Sequence, residues 1–191
     1  IYESGASTMQ RLLLERGGKG AAIVCDDADL KAAIGAIASV WGFHSGQICT
    51  APTRVIVHKS RVDQLVEGLE KAAGHMPVGD PNDPKTIVGP VISGAQRGRI
   101  EGYIDGAAAE GATLVIDGRR PEHLEKGFYV GPTLLVDCTP DMTISKEEVI
   151  GPVVAVLTDD DDDDLRSVDL GACLLIKTQK TTYAHVTDAP D

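Results

Sequence analysis

The chain has 191 residues, 42% hydrophobic and 25% charged, the proportions of an ordinary soluble domain, which exclude collagen-like, fibrous and disordered classes. Its formal net charge of −11 argues against nonspecific nucleic-acid binding, which depends on Lys and Arg neutralising phosphates. No apolar run approaches the roughly 18 residues that a membrane helix needs, and Cys25, Cys49, Cys138 and Cys173 lack the spacing of a zinc site or a disulfide scaffold.

Leu12 to Glu15 and Ala21 to Val24 read as short extended pieces around the turn Gly17-Gly18. From Asp29, with Asp27 or Asp29 available to cap the first turn, Leu30, Ala33, Ile34, Ile37 and Trp41 recur at helical spacing, so the pattern predicts a helix ending near Gly42 to Gly46. The β-branched run Val55 to His58 reads as a covered strand. A second helix follows, with Ser60 as its expected cap and a buried stripe of Val62, Leu65, Val66, Leu69 and Ala73. Gly79 to Pro84 is dense in turn formers and reads as loop. A third helix is expected from Ser93 to Glu110, with Ile100, Tyr103, Ile104 and Ala107 inward. Strands at Thr113 to Ile116, Thr133 to Val136 and Val153 to Leu157 complete a strand–helix alternation that implies an α/β domain, largely parallel in its sheet.

After Thr158 the periodicity stops. Six aspartates, Asp159 to Asp164, open a segment that holds 9 Asp against 3 Lys+Arg, while residues 1–158 hold 20 acidic against 15 basic. The expected organisation is therefore a body over 1–158 and an acidic, irregular tail over 159–191, whose one apolar patch is Ala172 to Ile176. The first residue is Ile1, and no signal or transit peptide is evident, so the expectation is a fragment or processed product in a reducing, cytoplasmic compartment.

Among the cysteines, Cys49 alone falls in a loop, between a helix and a strand, where a thiol can meet substrate. Cys25, Cys138 and Cys173 adjoin apolar runs and read as small buried hydrophobes. Local composition leaves Cys49 open between nucleophile and structural residue, and Glu15 open between base and solvated carboxylate.

Six short motifs bear on that choice: Glu15-Arg-Gly-Gly-Lys19, Gly46-Gln-Ile-Cys-Thr50, Ala51-Pro-Thr-Arg54, Val78-Gly-Asp-Pro81, Gly89-Pro90 and Glu147-Glu-Val-Ile-Gly-Pro152. Their order and spacing resemble the catalytic half of the aldehyde dehydrogenase superfamily, over about residues 7–158. The resemblance implies that family's parallel sheet with flanking helices, in incomplete form. It implies Cys49 as nucleophile and Glu15 as general base, with Lys19 structural near the turn. The chemistry implied is oxidation of a small-molecule aldehyde to a carboxylic acid with NAD or NADP, through a thiohemiacetal and a thioester on Cys49. By the same resemblance Glu148 would bind the nicotinamide-side ribose. Ile150 would lie beside the ring, at a position where the family carries phenylalanine.

Arg16 also departs from the family, which has an apolar residue there. Gln96 and Arg99 align with polar positions that some members turn toward the adenosine ribose, but a solvated helix face is the simpler reading of both. His44 reads as a helix-end histidine, not as a partner of the thiol. The dinucleotide-binding domain with its oxyanion asparagine, the later substrate-loop motifs and the final oligomerisation strand have no counterparts here. Three functions therefore stay open: a dehydrogenase completed by a cofactor domain or within a homo-oligomer, a catalytically silent remnant or interaction module, and a cofactor-independent thiol esterase.

Overall fold

The computed structural model describes residues 1–13, 17–159, 173–176 and 182–184. The expectations for Glu15 and Arg16, and for the aspartate run from 160 onward, fall outside the described residues.

The elements are α1 (Tyr2–Ala6), β1 (Ala21–Val24), α2 (Leu30–Gly42), β2 (Arg54–His58), α3 (Val62–Ala73), α4 (Gly94–Glu110), β3 (Thr113–Ile116), β4 (Thr133–Cys138), α5 (Thr143–Lys146), β5 (Val153–Asp159), β6 (Cys173–Ile176) and β7 (Thr182–Ala184). The strands form one sheet in the order β3-β4-β5-β2-β1-β6-β7. Strands β4, β5, β2, β1 and β6 run parallel, and each edge strand, β3 and β7, is antiparallel to its neighbour. The expectation of a largely parallel sheet thus holds, and β3 is antiparallel because the segment from β3 to β4 returns without a helical crossover. The apolar patch seen in the tail supplies β6, which pairs with β1 from Ala21↔Cys173 to Val24↔Ile176.

Period-two alternation divides the core between the two faces. Ala22, Val24, Val55, Val57, Val154 and Val156 meet Ala33, Ile37 and Trp41 of α2 and Leu65 and Leu69 of α3. On the other face Leu135, Val153, Ala155 and Leu157 meet Ile100, Ile104 and Ala107 of α4. Tyr103 is half-buried beside this second cluster.

Asp29 caps α2, its carboxylate accepting from the Ala32 amide at 3.1 Å, and Ser93 caps α4 by accepting from Gln96 N at 3.1 Å. Ser60 does not cap α3. A 3-10 turn over Lys59–Arg61 intervenes, and His58 Nδ1 takes the Ser60 amide and lies 2.8 Å from its hydroxyl. Among the described residues no helix is long and apolar enough to cross a membrane, and no group of three or more His, Cys, Asp or Glu is placed to hold a metal.

Candidate active site

Helix α2 ends in a run that few sequences tolerate. His44 (φ 48°), Ser45 (φ 57°) and Gly46 (φ 66°) are consecutively left-handed, and the two non-glycine members store strain of order 1–3 kcal/mol each. The surroundings hold them there. Ser45 is buried and its Oγ donates to Gly89 O at 2.8 Å. Gly46 lies so close to the Gly151 carbonyl that a Cβ would collide with backbone. Trp41, at the end of α2, donates its indole N–H to Pro152 O at 2.8 Å. Gln47 donates to His44 O at 2.9 Å and accepts from Ile92 N at 3.0 Å, which splints the loop on its other side.

This frame presents the turn Ile48–Ala51, closed by Ala51 N donating to Ile48 O at 3.1 Å, with Cys49 at its second position. Cys49 is exposed, whereas Cys25 and Cys138 are buried. Burial pushes the Cys138 thiol up to about 11, which leaves it protonated and inert at neutral pH.

The other motifs converge on the same loop. Arg54, opening β2, donates to Ser145 O at 3.3 Å and to Lys19 O at 3.5 Å, so it links the Gly17–Lys19 segment to the turn that carries Glu147 and Glu148. Gly79 N donates to Val88 O at 3.0 Å, beside Gly89.

Of the paired glutamates, Glu147 accepts from the Tyr103 hydroxyl at 2.7 Å, and that bond holds the phenol above its ordinary range. Glu148 points the other way. Its carboxylate lies over Gly17, where any Cβ would overlap it, and its Oε1 is buried without a hydrogen-bond partner. Ile150 is half-buried, and its carbonyl accepts from Gln96 Nε2 at 2.7 Å. Gln96 is therefore not a solvated helix residue: it ties α4 to the Glu147–Pro152 segment. Arg99 on the same helix is exposed. His44 packs against Phe43 in a tilted arrangement, ring centroids 4.1 Å apart. Lys19, read from sequence as structural, is more perturbed than that reading implied. Desolvation by burial, then the nearby Arg54 guanidinium, bring its amine down to about 8.

The sequence profile described as the aldehyde dehydrogenase family matches residues 1–168. The chain belongs to the aldehyde dehydrogenase family. Betaine aldehyde dehydrogenase of Rhizobium etli is 43% identical over 167 residues, which cover 86% of this chain and 34% of that protein. Among solved structures, an aldehyde dehydrogenase of Mycobacterium tuberculosis complexed with NAD+ superposes with a TM-score of 0.84 at 38% identity, covering 93% of this chain and 38% of its own. Methylmalonate-semialdehyde dehydrogenase of Oceanimonas doudoroffii gives 0.85 at 30% identity, again over 93% of this chain and 38% of the other. The chain thus spans about a third of the length of the relatives it matches. The family match runs through Val168, ten residues beyond the Thr158 boundary read from periodicity.

Proposed function

We propose that this chain carries the catalytic cysteine of an NAD(P)+-dependent aldehyde oxidation, and that it acts together with the cofactor-binding part represented in the remaining length of its relatives. The observation that carries the reading is the exposed Cys49 thiol on a turn held by a strained, well-packed loop against the Glu147–Pro152 segment.

Cys49, as thiolate, would add to the aldehyde carbonyl carbon, the carbonyl electron pair moving to oxygen to give a thiohemiacetal. The oxyanion donor that this chain offers is the Cys49 backbone N–H. NAD(P)+, when bound, supplies the hydride acceptor. The thioester left on Cys49 would be opened by water, with Glu15 taking the water proton, a role carried by the family resemblance alone. The C–S bond then breaks, the acid leaves and the thiolate is restored. Aldehyde, NAD(P)+ and water thus give acid, reduced nicotinamide and a proton.

The residues present fit the cofactor at one end. Glu148 offers a buried acceptor with no partner, which a ribose hydroxyl would satisfy, and the missing side chain of Gly17 is what lets its carboxylate lie there. Ile150 would give the ring an apolar neighbour but no flat aromatic wall. The test is reduced-nicotinamide formation from betaine aldehyde and short aliphatic aldehydes with NAD+ or NADP+, measured on this chain joined to the cofactor-binding part of a relative. Turnover lost in Cys49→Ala supports the reading, and silence with every aldehyde overturns it. The exposed thiol also favours a second reading, a thiol esterase. Hydrolysis of an activated ester without nucleotide, abolished by Cys49→Ala, would support that one.

A further inference from the structure

Glu147 and Glu148 are neighbours with opposite surroundings, and the backbone accounts for the difference. Glu147 has φ −91° and ψ 150°, an extended conformation in which successive side chains turn to opposite faces. Glu147 faces α4, where its carboxylate accepts from the Tyr103 hydroxyl at 2.7 Å, while the Glu148 carboxylate lies over Gly17.

Helix α4 holds this segment at three points. Gln96, Ile100 and Tyr103 stand at i, i+4 and i+7, so they form one stripe along the helix. At one end Gln96 Nε2 donates to Ile150 O at 2.7 Å. In the middle, fully buried Ile100 lies so near Gly151 that a Cβ there would meet its side chain. At the other end is the bond from Tyr103 to Glu147. The two hydrogen bonds therefore fall on either side of Glu148, and Val149 between them is buried in the same apolar cluster as Ile100. Glu148 Oε1 has no hydrogen-bond partner, so the aim of its carboxylate depends on how the backbone on either side is held.

We propose that Tyr103 is a positioning residue for the cofactor-binding carboxylate: by capturing Glu147 it fixes the Glu147–Glu148 pair and keeps Glu148 aimed past Gly17 at the nicotinamide-side ribose. This rests on the ribose role proposed above for Glu148. A phenol suits the task, since its rigid ring loses little freedom when ordered and its hydroxyl gives a carboxylate a charge-assisted bond. Without it, exposed Glu147 keeps its amide bond to Thr143 O at 2.9 Å but loses its side-chain tie to α4.

Two measurements test this. The first, on the whole chain without nucleotide, is amide hydrogen exchange read by mass spectrometry. Tyr103→Phe should quicken exchange in the peptide spanning residues 147–151 by about tenfold and leave α2 unchanged. Exchange that is unmoved there, or quickened equally throughout the chain, overturns the proposal. The second is calorimetric titration with NAD+ of this chain joined to the cofactor-binding part of a relative, with kcat measured alongside at saturating nucleotide. Tyr103→Phe should weaken NAD+ binding about tenfold and leave kcat within about twofold. Glu147→Ala should match it, and Glu147→Gln, which keeps an oxygen for the phenol, should stay within about twofold of the wild type. Tyr103→Phe combined with Glu147→Ala should bind no more weakly than either alone. Wild-type affinity in Tyr103→Phe, or additive losses in the double variant, overturns the proposal. Glu148→Ala separates the two readings. If it weakens NAD+ binding and Tyr103→Phe does not, the positioning fails and the ribose role stands. If it leaves NAD+ affinity unchanged, the ribose role fails, and the positioning of Glu148 for the cofactor fails with it.

Discussion

A lysine buried without a partner should cost stability, and the cost can be worked through. Lys19 has its amine brought from 10.5 to about 8 in the folded chain, first by desolvation and then by Arg54. At 1.36 kcal/mol per unit, the charged amine destabilises the fold by about 3 kcal/mol wherever it is protonated in both states, that is below about pH 8. As pH rises from about 8 to 10.5 the folded chain releases its proton before the unfolded chain does. The unfolded state then binds more protons, so stability climbs with pH until the penalty is gone. Lys19→Met keeps the apolar stem and removes the charge. At neutral pH the variant should be more stable by about 3 kcal/mol, or roughly 6–12 °C in Tm for a chain of this size, and the advantage should shrink toward zero by about pH 10.5. The Cys138 thiol, raised by burial to about 11, opposes Lys19 above about pH 9 by making the folded state the better proton binder. It is present in both proteins, so the difference between them isolates Lys19. Urea unfolding of both chains at about pH 7 and about pH 10 measures this. A variant less stable at neutral pH, or one whose advantage is the same at both, would refute the reasoning.

Gly46→Ala should cost about 3 kcal/mol, since it adds left-handed strain and a Cβ that meets the Gly151 backbone carbonyl, which cannot rotate away; denaturant midpoints would register it, and a loss below about 0.5 kcal/mol would argue against the contact. Trp41→Phe strips the Pro152 carbonyl of its donor in a buried setting and should cost about 1–3 kcal/mol, measurable in the same way. With a thiol reagent on the native chain, Cys49→Ser should remove one fast-reacting equivalent, while Cys25 and Cys138 react only on unfolding. An unchanged fast phase would mean that Cys49 is not the accessible thiol.

The helices were legible where local chemistry decided them. Asp29 and Ser93 each precede an apolar-periodic run and cap it through their own side chains. Ser60 carries the same signal, but His58, at the end of β2, captures its amide first, a competition that appears only when the strand end is placed. The direction of β3 was not legible, because the run Thr113–Ile116 does not encode the orientation of its partner.

At the site, the motif order pointed to Cys49 and Glu148, whose local settings suit the proposed roles. The splints did not stand out: Gln47 and Gln96 look like any surface glutamine until their carbonyl partners are known. The left-handed conformation of His44 and Ser45 is imposed by Trp41, Gly89 and Gly151 from elsewhere in the chain, so only Gly46 gave a local hint. Lys19 is the sharpest case, because nothing in Gly-Gly-Lys indicates that the amine will be buried beside Arg54.

The most direct test of the central claim is to trap the acyl group. Acid-quenched protein, after incubation with an aldehyde and NAD+, would be digested and its peptides weighed. The account predicts an acyl adduct on the peptide carrying Cys49 that requires both aldehyde and nucleotide and is absent in Cys49→Ala. An adduct elsewhere in the chain, one formed without nucleotide, or none while aldehyde is being oxidised, would contradict it.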